Sequence, residues 1–298
     1  MLTHLIDRIS RRIAWRYVDK QSRVNILKHQ QVCCYSFDHI SQYINFDGQY
    51  ENQELSFIKN NLSQHICGKA ILDIGANIGN HSIAFAQIAK QVFSFEPHPI
   101  TFQLLSLNTS RHKNVRAFNL GASNTTQTLS AFSPLGNMGA TSICSDNSNG
   151  QNKSEGVVDL QLAPIDELKE ISGFEIGFIK IDVEGHEYQA LQGLKKTLEK
   201  NYPIVALEQL KDEISNGTTS SMDFLKQCNY SFFYELKAKG KSAMLNSLPG
   251  IIRMPLKFIQ LVFTGKPNEE LELARIENLE SKDYYMLFAS TKDLLAAY

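Results

Sequence analysis

"LDIGANIGN" (residues 72–80) decides the fold. Asp73 closes a short apolar run, "AILDIG" (70–75), that reads as a buried strand. Gly75 and Gly79 flank a tight turn into the helix-like stretch "HSIAFAQIAK" (81–90). Glycine accepts positive φ and lets backbone approach a ligand closely. Between them stands Asn77, a residue that also tolerates the left-handed region. The spacing is G-x-N-x-G, not the dinucleotide fingerprint G-x-G-x-x-G, and no G-K-[ST] follows as in a P-loop. A nicotinamide cofactor or a nucleotide triphosphate is therefore disfavoured.

The same alternation continues outward. "VFSFE" (92–96), "VRAFNLG" (115–121), "FIKID" (178–182) and "IVALE" (204–208) read as strands. "TFQLLSLNTS" (101–110), the Leu55/Ile58/Leu62/Ile66 stripe and the Tyr188/Leu191/Leu194/Leu198 stripe read as helices. Short apolar strands alternating with amphipathic helices imply an α/β, doubly wound, mainly parallel sheet covered on both faces. Ligands of such sheets sit beyond the carboxyl ends of the strands, where strand order reverses.

Four strand ends then matter. The first is the Asp73–Gly79 turn. The second is "FSFEPHP" (93–99), whose Glu96 comes 23 residues after Asp73. An acid ending the second strand offers two acceptor oxygens to a ribose diol. The third is "NLGASN" (119–124), where Gly121 and Ala122 leave a slot for a flat base. The fourth is "FIKIDVEGHE" (178–187), with Asp182, Glu184, His186 and Glu187 packed behind a buried strand. Such a density of titratable groups beside a core is costly unless it is used. Asp182, Glu184, His186 and Glu208 have donor types suited to a metal, but no spacing as specific as H-E-x-x-H, and no metal is expected.

At this point the residues carry a resemblance. "ILDIGANIGNHSIAFA", "VFSFEPHPITFQLLSLN", "APIDEL" and "FIKIDVEGHEYQALQG" resemble, in order and spacing, the motifs of FkbM-type methyltransferases. "FDGQYENQEL" (46–55) is similar to the G-x-Y-E segment that precedes the first motif there. The resemblance spans roughly residues 47–210. It implies a Rossmann-like class I methyltransferase fold, with a seven-stranded sheet containing one antiparallel strand. "YSFFYEL" (230–236) and "YYMLFAS" (284–290) would supply the last hairpin. It implies S-adenosyl-L-methionine as cofactor and O-methylation of a hydroxyl on a sugar, glycan or related metabolite. Gly75, Asn77 and Gly79 would shape the loop under the methionine part, and Asp73 would reach its amino group. Glu96 would hold the ribose hydroxyls, and Gly121–Ala122 would line the adenine slot. Asp182 would face the positively charged cofactor and take the acceptor's proton. Glu184 would orient the acceptor or fix the turn. His186 is a competing base, its ordinary pKa lying near neutrality, or it merely opens a helix. Glu187 would face solvent in the first helical turn.

The ends lie outside the resemblance. Residues 1–50 are expected to form a helical extension and 51–298 the catalytic domain, with 237–282 inserted before the last strand as an acceptor cap. Leu2, Leu5, Ile6, Ile9 and Ile13 share one helical stripe, backed by Arg8, Arg11, Arg12 and Arg16. Residues 1–28 hold seven Lys/Arg against two Asp. "IIRMPLKFIQLVF" (251–263) is too short to span a bilayer and more apolar than an exposed loop. Burial over the pocket mouth is the expectation, with peripheral contact to anionic lipid as the alternative. Residues 123–156, rich in Ser, Asn and Gly, read as loop with short strands such as "TLSAF". Within them "SDNSNGQNKSEG" is expected to be mobile.

Composition removes other classes. A net charge of −1 lacks the basic excess of a nucleic-acid binder. Cys33, Cys34, Cys67, Cys144 and Cys228 form an odd set with no C-x-x-C, which suggests reduced thiols in a cytoplasmic protein. No secretory signal is evident, because Asp7, Arg8, Arg11 and Arg12 interrupt the first apolar residues. Composition sets no oligomeric state. The competing functional class is a non-catalytic module that retains the fold. Its mark would be a lost cofactor residue, yet Asp73, Gly75, Gly79 and Glu96 are all present. A nicotinamide-dependent oxidoreductase is a distant third.

Overall fold

The computed structural model describes residues 2–36, 38–132, 142–143, 157–239 and 270–296. The chain opens with helices α1 (Leu2–Lys28), α2 (His39–Asp47) and α3 (Asn52–Phe57). A π-helical turn, Ile58–Leu62, leads from α3 into α4 (Ser63–Ile66). Then come β1 (Ala70–Ile74), α5 (Asn80–Phe85), β2 (Gln91–Phe95), α6 (Pro99–Thr109), β3 (Val115–Phe118) and β4 (Gly121–Ala122). Strands β5 (Gln127–Phe132), β6 (Ser142–Ile143), β7 (Val157–Ala163) and β8 (Ile176–Ile181) follow. The chain continues through α7 (Glu187–Gln192), α8 (Lys195–Asn201), β9 (Ile204–Gln209) and α9 (Ser220–Gln227). It ends with β10 (Phe232–Ala238), β11 (Leu271–Ile276) and β12 (Tyr284–Ser290).

The main sheet has the order β11-β10-β12-β9-β8-β1-β2-β3. Strands β3, β2, β1, β8 and β9 run parallel. Strand β12 is antiparallel to both β9 and β10. Every residue of β1 and β8 is buried. Alternate side chains serve opposite faces: Leu72, Ile74, Ile179 and Ile181 join one core cluster, and Ile71 and Phe178 the other. The helical stripe Leu55, Ile58, Leu62 and Ile66 is wholly buried against the second cluster.

The doubly wound architecture is the expected one, with one strand more. "LELARI" pairs antiparallel with β10 and forms the edge, so the sheet has eight strands and two antiparallel members instead of seven and one. Its alternation explains this: Leu271 and Leu273 pack on the second core cluster, and Ile276, of opposite parity, packs on the first. The interruption at 123–156 contributes β5 and β6 to a second sheet, β4-β7-β5-β6. "TLSAF" lies in β5, but its main partner "VVDLQLA" (157–163) was not foreseen. The stripe from Tyr188 to Leu198 is split at Gly193 into α7 and α8, and there the backbone runs so close to Ser123 that a Cβ would stand 2.0 Å from its carbonyl oxygen.

The N-terminal segment is tied to the sheet domain. Asn108 of α6 bonds both backbone groups of Cys33 through its side chain, and Gln30 Nε2 donates to the Asn108 carbonyl. Arg8, Arg11, Arg12 and Arg16 are exposed on α1. The side chains of the apolar stripe before Ala14, the "SDNSNGQNKSEG" segment and residues 251–263 lie outside the described residues. No helix among the described residues is long and apolar enough to cross a membrane. The four described cysteines are free thiols.

Candidate active site

The chain runs from β1 outward to β3 and later returns to β8 on the other side of β1. Strand order therefore reverses between β1 and β8, and their carboxyl ends open the crevice where ligands bind such sheets. The Asp182 N–H donates to the Ile74 carbonyl at 3.0 Å, which holds the two ends together. A Cβ on Gly75, whose φ is +75°, would stand 1.7 Å from the Asp182 carbonyl oxygen. Only glycine permits this approach.

Asp73 is fully buried at the end of β1. Its Oδ2 accepts from the Ser82 hydroxyl at 2.5 Å, and Ser82 in turn accepts from Ser94 at 2.8 Å. Its Oδ1 is buried with no hydrogen-bond partner among the described residues. Asn77 adopts φ 48° and Gly79 φ +92°. Glu96 locks this turn from the neighbouring strand: one oxygen accepts from Asn77 N at 3.0 Å, the other from His98 N at 2.9 Å. Burial pushes the Glu96 carboxyl up to about 7 despite those two bonds.

Gly121 and Ala122 are both buried. A Cβ on Gly121 would come within 2.3 Å of a Leu162 methyl and 3.2 Å of Pro97. The slot is thus closed by β7, an element that the sequence reading did not single out.

At the end of β8, Lys180 and Asp182 lie two residues apart and point the same way. The buried Lys180 Nζ donates to Asp182 Oδ2 at 2.9 Å. Burial raises the Asp182 carboxyl, but the Lys180 ammonium and its hydrogen bond outweigh it, so Asp182 is held below the usual carboxylate range. Glu184 sits at φ 54° and is raised, first by burial and then by Asp182. His186 immediately precedes α7, its Nε2 3.0 Å from the Ser123 hydroxyl, and burial holds its pKa low. Glu187 does not face solvent as expected. It is 3% exposed and its carboxylate accepts the Val183 and Gly185 N–H groups, bracing the turn from inside. The turn, with Glu184 and Gly185 both at positive φ, leaves those donors with no ladder to join.

One cleft is lined by Gly75, Asn77, Glu96, Gly121, Ala122, Asp182, Glu184 and His186 together. Asp73 and Gly79 stand outside that lining, on the turn that shapes it. Pro97, His98, Thr101, Leu160, Leu162 and Val183 complete the walls. Lys180 was also missed, although its two-residue spacing from Asp182 on a strand places both on one face. So was the pair His81–Glu51, 2.9 Å apart, which ties the Glu51 segment to α5. Asn80 reinforces it by bonding both backbone groups of Tyr50. Among the described residues, no group of three His, Cys, Asp or Glu side chains is arranged to hold a metal ion.

Glu208, ending β9 beside this cluster, is pushed up to about 8, by burial first and then by Asp182, Glu184 and Glu187, with Lys180 opposing. A carboxyl whose pKa is higher folded than unfolded binds extra protons when folded, so stability falls as pH rises through the interval. His65, His98 and His186 are held below their ordinary 6.5 and act oppositely, but only below that value. The ligand-free protein should therefore melt at lower temperature at pH 8 than at pH 7. Glu208→Gln, which fixes the neutral form, should shrink that drop. A melting temperature that is flat or rising over this interval would contradict the assignment.

The residues present suit a nucleoside carrying an amino-acid arm. Each Glu96 oxygen accepts one N–H and so keeps a lone pair for a ribose hydroxyl. The slot at Gly121–Ala122 is narrow and apolar, and the orphaned Asp73 oxygen beneath the turn calls for a donor.

Comparison with known proteins agrees. The model of the methyltransferase FkbM domain family matches residues 73–232, more than half of the chain. The hexuronic acid methyltransferase AglP of Haloferax volcanii is 33% identical over 138 residues, which are 45% of this chain and 54% of that protein. The chain thus spans about half the length of this curated relative. Among solved structures, the methyltransferase FkbM of Methylobacillus flagellatus gives a TM-score of 0.39 at 16% identity, covering 74% of this chain and 43% of that one. An S-adenosylmethionine-dependent O-methyltransferase of Thermotoga maritima gives 0.38 at 15%, covering 84% and 70%. With three of its motifs on the adjoining ends of β8, β1 and β2, this chain belongs to the FkbM methyltransferase domain family, whose cofactor is S-adenosylmethionine.

Proposed function

We propose that the protein is an S-adenosylmethionine-dependent O-methyltransferase acting on a hydroxyl of a sugar or glycan. The observation that carries this reading is the cleft at the β1/β8 switch point, where Glu96, the Gly75 turn and the Lys180–Asp182 pair converge. The AglP relative, named for hexuronic acid methylation, supports a sugar acceptor in polysaccharide biosynthesis.

The bound cofactor supplies an activated methyl group on a positively charged sulfur. Glu96 would hold the ribose, Gly121 and Ala122 would admit the base, and the Gly75–Gly79 turn, with Asp73, would hold the amino-acid arm. Asp182 stays ionised because Lys180 is its counter-ion. It presents negative charge toward the reacting end, and its second oxygen has no hydrogen-bond partner among the described residues. That oxygen accepts the acceptor hydroxyl's hydrogen bond and takes its proton. Glu184 and His186 border the same space and position the acceptor. Alignment and a placed proton acceptor are the main contributions such a transfer needs.

The test is transfer of a labelled methyl group from S-adenosylmethionine to a panel of glycans, together with calorimetric titration of S-adenosylhomocysteine and NAD. Transfer to a sugar hydroxyl is expected. Tight NAD binding with no response to S-adenosylhomocysteine would end this reading. Cofactor binding with no transfer to any acceptor would favour a binding module.

A further inference from the structure

Helix α1 carries one face that the fold leaves uncovered. Arg8, Arg12, Arg16 and Lys20 follow one another at four-residue spacing, so they form a single ridge. All four are exposed, and none makes an ion pair or hydrogen bond with another described residue. Like charges at that spacing weaken a helix. The nearby acid Asp19 is taken by Arg23 at 3.0 Å. The chain beyond α1 is net negative, yet the ridge turns to solvent and not onto it.

Trp15, the chain's single tryptophan, stands on the same face, between Arg12 and Arg16 in sequence. It is 74% exposed, and Ile26, about three turns further along the same line, is 56% exposed. A large indole and a branched aliphatic side chain are thus held in water among unpaired cations. Anionic groups lying over an apolar layer would satisfy both kinds of side chain at once.

The other end of α1 is fixed to the domain. Asn25 is buried, and a Cβ on Gly48, at the end of α2, would stand 2.4 Å from the His29 ring. Gln30 and Cys33 then bond Asn108 of α6. Whatever α1 binds, the sheet domain is brought to it.

We propose that this face of α1 docks the protein on an anionic lipid surface. The cations meet the headgroups, and Trp15 and Ile26 enter the boundary with the acyl chains. No helix among the described residues can cross a membrane, so the contact is peripheral. A second copy of the chain would set like charge against like. Single-stranded nucleic acid also offers phosphates, but it is gripped by successive aromatic platforms. Here the exposed apolar pair is one indole and one aliphatic side chain.

The experiment mixes the whole chain with vesicles of phosphatidylcholine, alone or with added phosphatidylglycerol. Co-sedimentation reads binding, and fluorescence emission reads Trp15 alone. Binding confined to the anionic vesicles, weakened by salt, with a blue shift of the emission, is expected. Arg8→Gln, Arg12→Gln and Arg16→Gln should each weaken it about fivefold, and the triple variant about a hundredfold. Trp15→Ala should weaken it while keeping the salt dependence. None of these residues lines the cofactor cleft, so melting temperature and S-adenosylhomocysteine affinity should be unchanged. The emission is read on the unaltered chain and does not depend on any variant folding. No binding, equal binding to neutral vesicles, an unshifted emission on bound vesicles, or full affinity in the triple variant would overturn the proposal. An emission change with single-stranded RNA but not with vesicles would overturn it in favour of a nucleic-acid face. The methyltransferase reading stands or falls separately, on cofactor titration and methyl transfer.

Discussion

Asp182→Asn lowers turnover by roughly 10²–10⁴-fold, the range a positioned proton acceptor contributes, while His186→Ala costs far less. Asn keeps the shape of the side chain and removes its charge. The Lys180 ammonium, 5% exposed, then loses the carboxylate 2.9 Å away. Asp73 and Glu51 remain as more distant anions. Removing one partner of a buried pair is destabilising, so melting curves must accompany the rates. A variant that stays folded and binds cofactor yet turns over slowly places the loss in the chemical step. His186 offers less. Burial lowers its basicity and its Nε2 is engaged with Ser123. The opposite ranking in kcat would move the proton acceptor to His186. Activity abolished by a chelator and restored by magnesium would bring a metal ion into the site.

The parallel half of the fold was legible because its signal is local. "AILDIG", "VFSFE" and "FIKID" are apolar runs buried on both faces, and each ends in the residue that faces the crevice. What escaped the reading was non-local. "VVDLQLA" and "LELARI" alternate like strands, but their partners lie across segments of 24 and 32 residues, and nothing near them announces a pairing. Glu187 looked like a solvated first-turn acid. The turn, with Glu184 and Gly185 at positive φ, presents two N–H groups inward, and Glu187 Oε1 accepts both. Lys180, inside an apolar run, carries no local mark of its role; its register with Asp182 makes it a buried counter-ion.

Backbone conformation marks the same region independently. Among the described residues, three of the six non-glycine residues with positive φ are Glu51, Asn77 and Glu184. They sit on three separate segments around the carboxyl ends of β1 and β8. Conformations of that kind cost about 1–3 kcal/mol each and persist where surrounding contacts enforce them. Here the contacts are visible: His81 on Glu51, Glu96 on Asn77, and Glu187 on the residues flanking Glu184. The acids of the site therefore have two tasks. Glu96 and Glu187 each fix a turn, and Glu96 faces the cleft as well.

Glu96→Ala weakens cofactor binding by roughly 10- to 150-fold. That factor corresponds to about 1.5–3 kcal/mol for lost hydrogen bonds to a charged group, at about 1.4 kcal/mol per decade. The effect should carry a pH signature. In the ligand-free protein the Glu96 carboxyl titrates at about 7, raised by burial, with the His98 and Asn77 N–H groups and Lys180 opposing and Asp182 assisting. Ribose hydroxyls donating to both oxygens favour the ionised form, so binding draws this pKa down. Below pH 7 the cofactor must then displace a proton, and its affinity should rise with pH by up to about tenfold per unit, levelling above 7. Glu96→Gln cannot ionise and should lose both the affinity and its pH dependence. Calorimetric titration of S-adenosylhomocysteine from pH 5.5 to 8.5, in buffers of different ionisation enthalpy, reads affinity and proton release together. Because Glu96 also holds the Asn77 and His98 backbone, each variant is first checked by melting. An Ala variant that melts normally and binds with unchanged affinity would remove the ribose assignment. A wild-type affinity independent of pH, with no proton released, would show that Glu96 is already ionised in the empty cleft.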